Sequence, residues 1–222
     1  MMKKQYLGDS KDSFKWDYHD FLVRELNYQF LNVVLMLTPD NKSNEGQTPP
    51  TLFPARKEVI KFCNDLKNTR DIDIITNLPY RTGAKYRINL HNCGTYITNQ
   101  NRKIYFSGLL SNEDQLLLVD PDIGFEPEKS FSKQHVLYAD IVNILEQVSA
   151  RSVVSVFQHF RRKPFVRDFV RIKERLEAGY TTAIYWQSLM FVGISKSETA
   201  IARVAEANKK YSKDKKHVKI LA

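Results

Sequence analysis

Four groups of residues in the 222-residue chain have types and spacings that could do chemistry. The densest follows the apolar run LLLV, where Asp120, Asp122 and Glu126, with Pro121 and Gly124 between them, place three carboxylates within seven residues. Clustered acids repel unless they are protonated, metal-bound or paired with cations. Asp120 and Asp122 are therefore the candidate catalytic pair, against the plainer reading of turn formers and caps. A second group, GDSKDSFKWD, holds Asp9, Asp12, Lys15 and Asp17. Either Asp9 or Asp12 caps a helix and Lys15 is a solvated partner, or a lysine set among acids takes a small-molecule carboxylate or phosphate. Gly8 lets the backbone there approach another group closely. In the third group Gln158, His159, Arg161 and Arg162 follow VVSVF, with Arg167 further on. That set suits phosphate recognition or acid–base work at His159, although a lone histidine also serves a structural role. The fourth lies beyond FLNVVLML, where Thr38, Asp40 and Asn41 are followed by Glu45 and Gly46.

The elements that must position these groups alternate in type. Phe14, Tyr18, Phe21, Leu22, Leu26 and Phe30 return at three- to four-residue intervals and predict an amphipathic helix over 13–29. FLNVVLML then reads as a buried strand, and NKSNEGQTPPTLFP as a loop. A helix over 55–66 and a short strand over 73–76 follow. Residues 81–110 alternate and carry turn residues at 92–94 and 99–101, which predicts a β-hairpin insertion or meander. After the strand QLLLV come a helix over 139–147, the strand SVVSVFQHF and a helix over 164–178 with proline at its start. TTAIYW and SLMFVGIS form a terminal hairpin, and a helix over 198–211 leads into a basic tail ending at 222. Alternating strands and helices imply a single α/β domain over 1–222, with a mostly parallel sheet, helices on both faces and antiparallel strands near the C-terminus. Ligands of such sheets gather outside the carboxyl ends of the strands, where these polar groups fall.

Composition narrows the function classes. At 42% hydrophobic, 27% charged and 12% aromatic residues the chain is that of a folded protein and not of a disordered tail. Its longest apolar runs are far below the roughly 20 residues that cross a bilayer. Charges follow the basic start MMKKQYLGDSKDSFKWD where a secretory signal would be apolar, so the expected location is the cytoplasm. Cys63 and Cys93 have no CxxC spacing and read as ordinary thiols. The net charge is +9, with eight basic against two acidic residues over 151–175 and seven against two over 203–219. Such a surface attracts polyanions, nucleic acid first among them, or else it marks solvated helix faces and a frayed tail. There is no GxxxxGK[ST], HExxH or GxSxG motif and no zinc-deaminase signature.

The opening GDSKDSFKWD, through Gly8, Asp9, Asp12 and Lys15, resembles the AGNxADxxKH segment of the bacterial adenine methyltransferases that act on large-subunit ribosomal RNA. VDPDIG is similar to their DPPY strand end and to the DPxG segment of the three-Cys-motif partner proteins. The chain also resembles a set of bacterial proteins that share GDxxDxxKxD, MLTPD, DPDxGxE and QHF. The resemblance implies a Rossmann-like, S-adenosylmethionine-dependent methyltransferase. Lys15 would reach the cofactor, with Asp40 and Gly46 beside it, and Asp120 would meet the target amine with Asp122 and His159 near by. Asp9, Asp12, Gln158, Arg161, Arg162 and Arg167 would hold the nucleic acid. Strand one lacks the glycine-rich turn of that family, for which only Asn44-Glu45-Gly46 could substitute. Asp-Pro-Asp-Ile lacks the aromatic residue that stacks on a flipped base, which argues against the exocyclic amine of adenine as the acceptor.

Two other readings use the same residues. Asp120, Asp122, Glu126 and Lys129 are the types a magnesium-dependent nuclease needs, for example an effector in defence against phage. A noncatalytic nucleic-acid-binding module would keep the sheet and the basic surface without the chemistry.

Overall fold

The computed structural model describes residues 3–40, 46–109, 113–160, 164–177 and 179–222. Helix α1 (Ser10–Glu25) starts where the Asp9 carboxylate accepts the N–H groups of Lys11 and Asp12 at 2.8 and 3.0 Å, satisfying amides that a first helical turn leaves open. Then come β1 (Phe30–Leu35), α2 (Lys57–Thr69), the short α3 (Leu78–Thr82), β2 (Arg87–His91), the short α4 (Arg102–Tyr105) and β3 (Leu116–Asp120). Strands β4 (Gly124–Phe125) and β5 (His135–Val136) make a small parallel pair. The chain continues through α5 (Tyr138–Gln147), β6 (Val153–His159), α6 (Phe165–Arg175), β7 (Tyr180–Trp186), β8 (Leu189–Ser195), α7 (Glu198–Asp214) and β9 (Lys219–Leu221).

Seven strands form one sheet in the order β2-β1-β3-β6-β8-β7-β9. β2, β1, β3 and β6 are parallel, β8 runs against β6 and β7, and β9 runs against β7. The architecture is the expected α/β, Rossmann-like one: a mostly parallel sheet with antiparallel C-terminal strands. Alternate residues serve two cores, as the pleat requires. Leu31, Val33, Leu116, Leu118 and Val153 pack with α1, α2 and α7, while Val34, Leu117, Val119, Val154 and Val156 pack with α5 and α6. Burial on both faces is why these strands are nearly continuous apolar runs. No helix among the described residues is long and apolar enough to cross a membrane.

Four expectations are corrected. Helix α1 is not amphipathic: Lys15, Asp17, His19 and Asp20 are as buried as Phe14 and Leu22. Its inward charges are paired, Asp17 with Arg56 Nε and Tyr211 Oη at 2.7 Å each, and Asp20 with Arg56 Nη1 at 2.7 Å and Tyr86 Oη at 2.8 Å. Residues 73–76 lie within a 3-10 helix, Ile72–Asn77, because the buried Ile72 and Ile75 follow a period of three and Asp71 caps the turn. The segment 81–110 holds no hairpin among its described residues; β2 joins the main sheet beside β1, from Phe30↔Arg87 to Val34↔His91, so its partner lies upstream and not across a local turn. The basic tail is not frayed, since β9 pairs with β7 in the register Ala183↔Leu221. The terminal β7–β8 hairpin is present as expected.

Gly8 makes the close approach its position suggested, and the neighbour is helix α2. Its φ is +77°, and a Cβ there would stand 2.1 Å from the Cys63 carbonyl oxygen and 2.5 Å from the Lys67 nitrogen. Neither backbone atom can swing away. Gly8→Ala should cost about 3 kcal/mol or more, from the left-handed backbone and the overlap together. Urea unfolding of the variant checks this, and a loss below about 1 kcal/mol would mean that α2 yields at little cost.

Candidate functional site

A cleft of about 600 Å³ opens at the carboxyl ends of β3 and β6. The start of α1, residues 46–48, the exit of β3 over Asp120–Ile123 and the β7–β8 turn surround it. At its floor the Lys15 ammonium lies 2.7 Å from Asp12 Oδ1 and 2.7 Å from Asp120 Oδ2. Asp120 ends β3 in phase with Leu116 and Leu118, so its side chain turns toward α1. Asp12 and Lys15 are three residues apart on α1 and share a face. The second oxygen of Asp12 accepts the Gly8 N–H at 2.7 Å.

Electrostatics sort these groups. Burial opposes the charge on Lys15, yet Asp12 and Asp120 outweigh it and hold the ammonium above its ordinary range. Burial pushes the Asp120 carboxyl up, against the pull of Lys15. Under Lys15, His19 Nδ1–H donates to the Lys15 carbonyl at 2.7 Å, while Nε2 lies 2.8 Å from the Ser155 hydroxyl. Burial pulls this imidazole down to about 3, so it adds no charge to the site. Asp9 is pushed up to about 6, first by burial and then by the charge of Asp12.

The walls differ in character. On one side Lys11 Nζ lies 3.2 Å from His159 Nε2, and His159 Nδ1 lies 3.0 Å from the Phe160 carbonyl, which makes Nδ1 the protonated nitrogen and Nε2 the acceptor. Asp122 Oδ2 accepts from Gln134 Nε2 at 3.0 Å. Ser10 and Thr48 join their hydroxyls at 2.9 Å and fix the 46–48 segment to α1. Leu52, Phe157, Trp186 and Leu189 supply the apolar wall.

The structure thus brings Asp9, Asp12, Lys15, Gly46, Asp120, Asp122 and His159 to one cleft. Gln158 points to the opposite side of β6, as strand alternation demands, and is buried there with Oε1 accepting from Phe125 N at 2.9 Å. Asp40 is exposed, accepts the Gln5 N–H at 3.3 Å and lies outside the lining. Arg167 is exposed on α6, away from the lining. Arg161 and Arg162 lie outside the described residues, as do Asn41, Asn44 and Glu45. Glu126 Oε1 accepts the N–H of Tyr138 at 2.9 Å, at the start of α5. Lys3, Lys11, Gln134 and Trp186 line the cleft without having been singled out as site residues. Only tertiary contact gathers them, and no spacing in the chain announces it.

Two features bear on what the site can hold. Among the described residues no group of three or more His, Cys, Asp and Glu side chains is placed to bind a metal ion; the point where Asp12 and Asp120 converge carries the Lys15 ammonium. Beyond β1 and β2, among the described residues, Tyr105 Oη donates to the Leu35 carbonyl at 2.7 Å and Ile97 N to the Leu37 carbonyl at 3.0 Å. Comparison with protein-family models and with curated proteins finds no match. Among solved structures, human methyltransferase-like protein 13 in complex with SAH matches with a TM-score of 0.38 at 11% identity, over 89% of this chain and 90% of that one. That is a distant likeness of fold.

Lys15→Met should destabilise by about 3–5 kcal/mol, because it leaves two buried carboxylates facing each other. Asp120→Asn should cost less, since the Lys15–Asp12 pair survives; denaturant unfolding of both variants gives the order, and the reverse order would mean that Asp120 and not Lys15 holds the floor together. Asp9 gives a pH signature. The folded state keeps its proton up to about pH 6 and the unfolded chain only to the ordinary value of 3.8. Its contribution to stability is therefore complete below about pH 4 and is lost as pH rises through about 6. Asp9→Asn keeps the cap and removes the titration. Relative to wild type it should gain stability between pH 4 and pH 7; a difference that stays constant would refute the shift.

Proposed function

We propose that the chain is a divergent S-adenosylmethionine-dependent methyltransferase whose active site is this cleft and whose acceptor is an amine on a nucleic acid. The observation that supports it most is the Asp120 carboxylate, fixed by Lys15 at the end of β3, beside the point where the strand order turns from β1–β2 to β3–β6. Ligand sites of open α/β sheets form at such switch points. A carboxylate held there can accept an amine N–H and orient its lone pair without reorganising during the reaction.

The cleft fits the donor by the chemistry of its lining. A nucleoside that carries an amino acid needs an apolar wall, a carboxylate for its ammonium and a cation for its carboxylate. Leu52, Phe157 and Trp186, then Asp9 and Asp122, then Lys3 and Lys11 are of those types. S-adenosylmethionine, when bound, supplies the methyl group as an electrophile. Asp9, ionised above about pH 6, is available to take the proton that an amine gives up on alkylation. Support for nucleic acid as the acceptor is the net charge of +9. Magnesium-dependent cleavage is the weaker reading, because an ammonium already neutralises the converging carboxylates.

Calorimetric titration with S-adenosylmethionine and S-adenosylhomocysteine should show saturable binding near micromolar, about −8 kcal/mol. Asp120→Asn should retain S-adenosylhomocysteine binding and lose methyl transfer to RNA or DNA. Absence of binding for both ligands, in a protein shown to be folded, overturns the proposal.

A further inference from the structure

Lys3 is the anomalous residue of the cleft. Its side chain is 1% exposed and lines the cavity, yet its ammonium has no hydrogen-bond or ion-pair partner among the described residues. The Tyr6 ring, with its centroid 5.7 Å away, is what answers the charge. Lysine is almost never buried to this degree unless paired, since the ammonium gives up its hydration. Asp12 and Asp120 share Lys15, and Asp9 Oδ1 caps α1. Lys11, the other ammonium of that side, donates to His159. A cation without an ion-pair partner beside an apolar wall is a prepared half of an ion pair, because an arriving anion has no protein partner to displace from it.

We propose that Lys3 is the anion-binding residue of the cleft and pairs with a carboxylate or phosphate oxygen of the bound ligand, whose ring or alkyl body lies against Trp186 and Leu52. The inference rests on the reading of the cleft as a ligand site and names the charge the ligand must carry. Its position near the start of the chain has a consequence for assembly. The 3-10 turn Lys4–Tyr6 carries Lys3 at its N-cap, and the Asp9 N–H bonds back to the Tyr6 carbonyl at 3.4 Å. The segment that delivers the cation is thus continuous with the cap that delivers the acids.

Lys3→Met keeps the length of the side chain and removes the charge. Two readouts test it. Without ligand, the variant should unfold at a temperature higher by about 2–4 °C or more, because an unpaired buried ammonium is a cost to the folded state; a fall would assign Lys3 a structural partner and overturn the proposal. In calorimetry, adenosine, adenosine monophosphate and S-adenosylhomocysteine share a ring system and differ in carrying no anion, a phosphate or a carboxylate. Lys3→Met should weaken at least one of the two anionic probes tenfold or more and leave adenosine unchanged; the probe affected tells phosphate from carboxylate. Wild-type protein that binds all three equally, or a variant that binds both anionic probes as wild type does, overturns the role of Lys3 and leaves the cleft standing. Wild-type protein that binds none of the three overturns both.

Discussion

One ammonium between two carboxylates determines how the first helix meets the sheet. Lys15 joins Asp12 on its own helix to Asp120 at the end of β3, and all three side chains are removed from water. Dehydrating three charges costs several kcal/mol each, and the arrangement survives only when every oxygen and hydrogen is answered. Gly8 answers one: its N–H meets Asp12 Oδ2 at 2.7 Å, and it can do so because the turn lies directly on the backbone of α2. A side chain at Gly8 would lift that turn and loosen Asp12, then Lys15, then Asp120. The floor of the cleft therefore depends on packing at the far side of the first helix.

The same triad sets the protonation of its surroundings. Burial disfavours ionisation of a third acid beside it, and the charge of Asp12 adds to the effect. Asp9, one turn away and buried, is the group that yields, and it titrates near 6. His19 stays neutral because burial outweighs its hydrogen bond to the Lys15 carbonyl, and the Lys15 ammonium adds to the cost of charging it. Three aspartates within reach of one lysine thus hold different offices: Asp12 and Asp120 pair with the ammonium, and Asp9 exchanges a proton near 6. Environments that push like groups apart are how acid–base roles become distinguishable.

Much of the fold was legible because burial on both faces writes itself into a strand. LLLV, VVSVF and SLMFVGIS are strands where the chain said they would be. Helix α1 was misread as amphipathic because its interior is lined by charges whose partners, Arg56, Tyr86 and Tyr211, lie 36 to 194 residues away. Over β2 the sequence alone suggests half of a hairpin, because alternation identifies a strand without naming its partner. In the site, Asp9, Asp12, Lys15 and Asp120 were legible from their clustering at strand and helix ends. Gln158 and His159 were grouped as neighbours, although the period of two that identifies β6 also sends them to opposite faces. Lys3 and Lys11 carried no signal, since a lone lysine near the start of a basic chain has the look of solvent exposure.

The packing beyond β1 and the cleft at β3 and β6 bear on how two reactants could share this protein. Among the described residues Tyr105, Phe106 and Ile97 share a core cluster with Met36, and the cleft lies on the β3 and β6 side. A cleft of about 600 Å³ is the size of one nucleoside-type ligand. The macromolecular acceptor of the proposed reaction would then stay mostly outside and present a single group to the cleft. In the proposed reading, recognition of its backbone falls to the surface outside the cleft. In the proposed reading binding and chemistry are thereby separated in space. Charge reversal on the basic surface and removal of a carboxylate from the floor would then act on different steps: the first on capture of the polyanion, the second on what happens to the group it delivers.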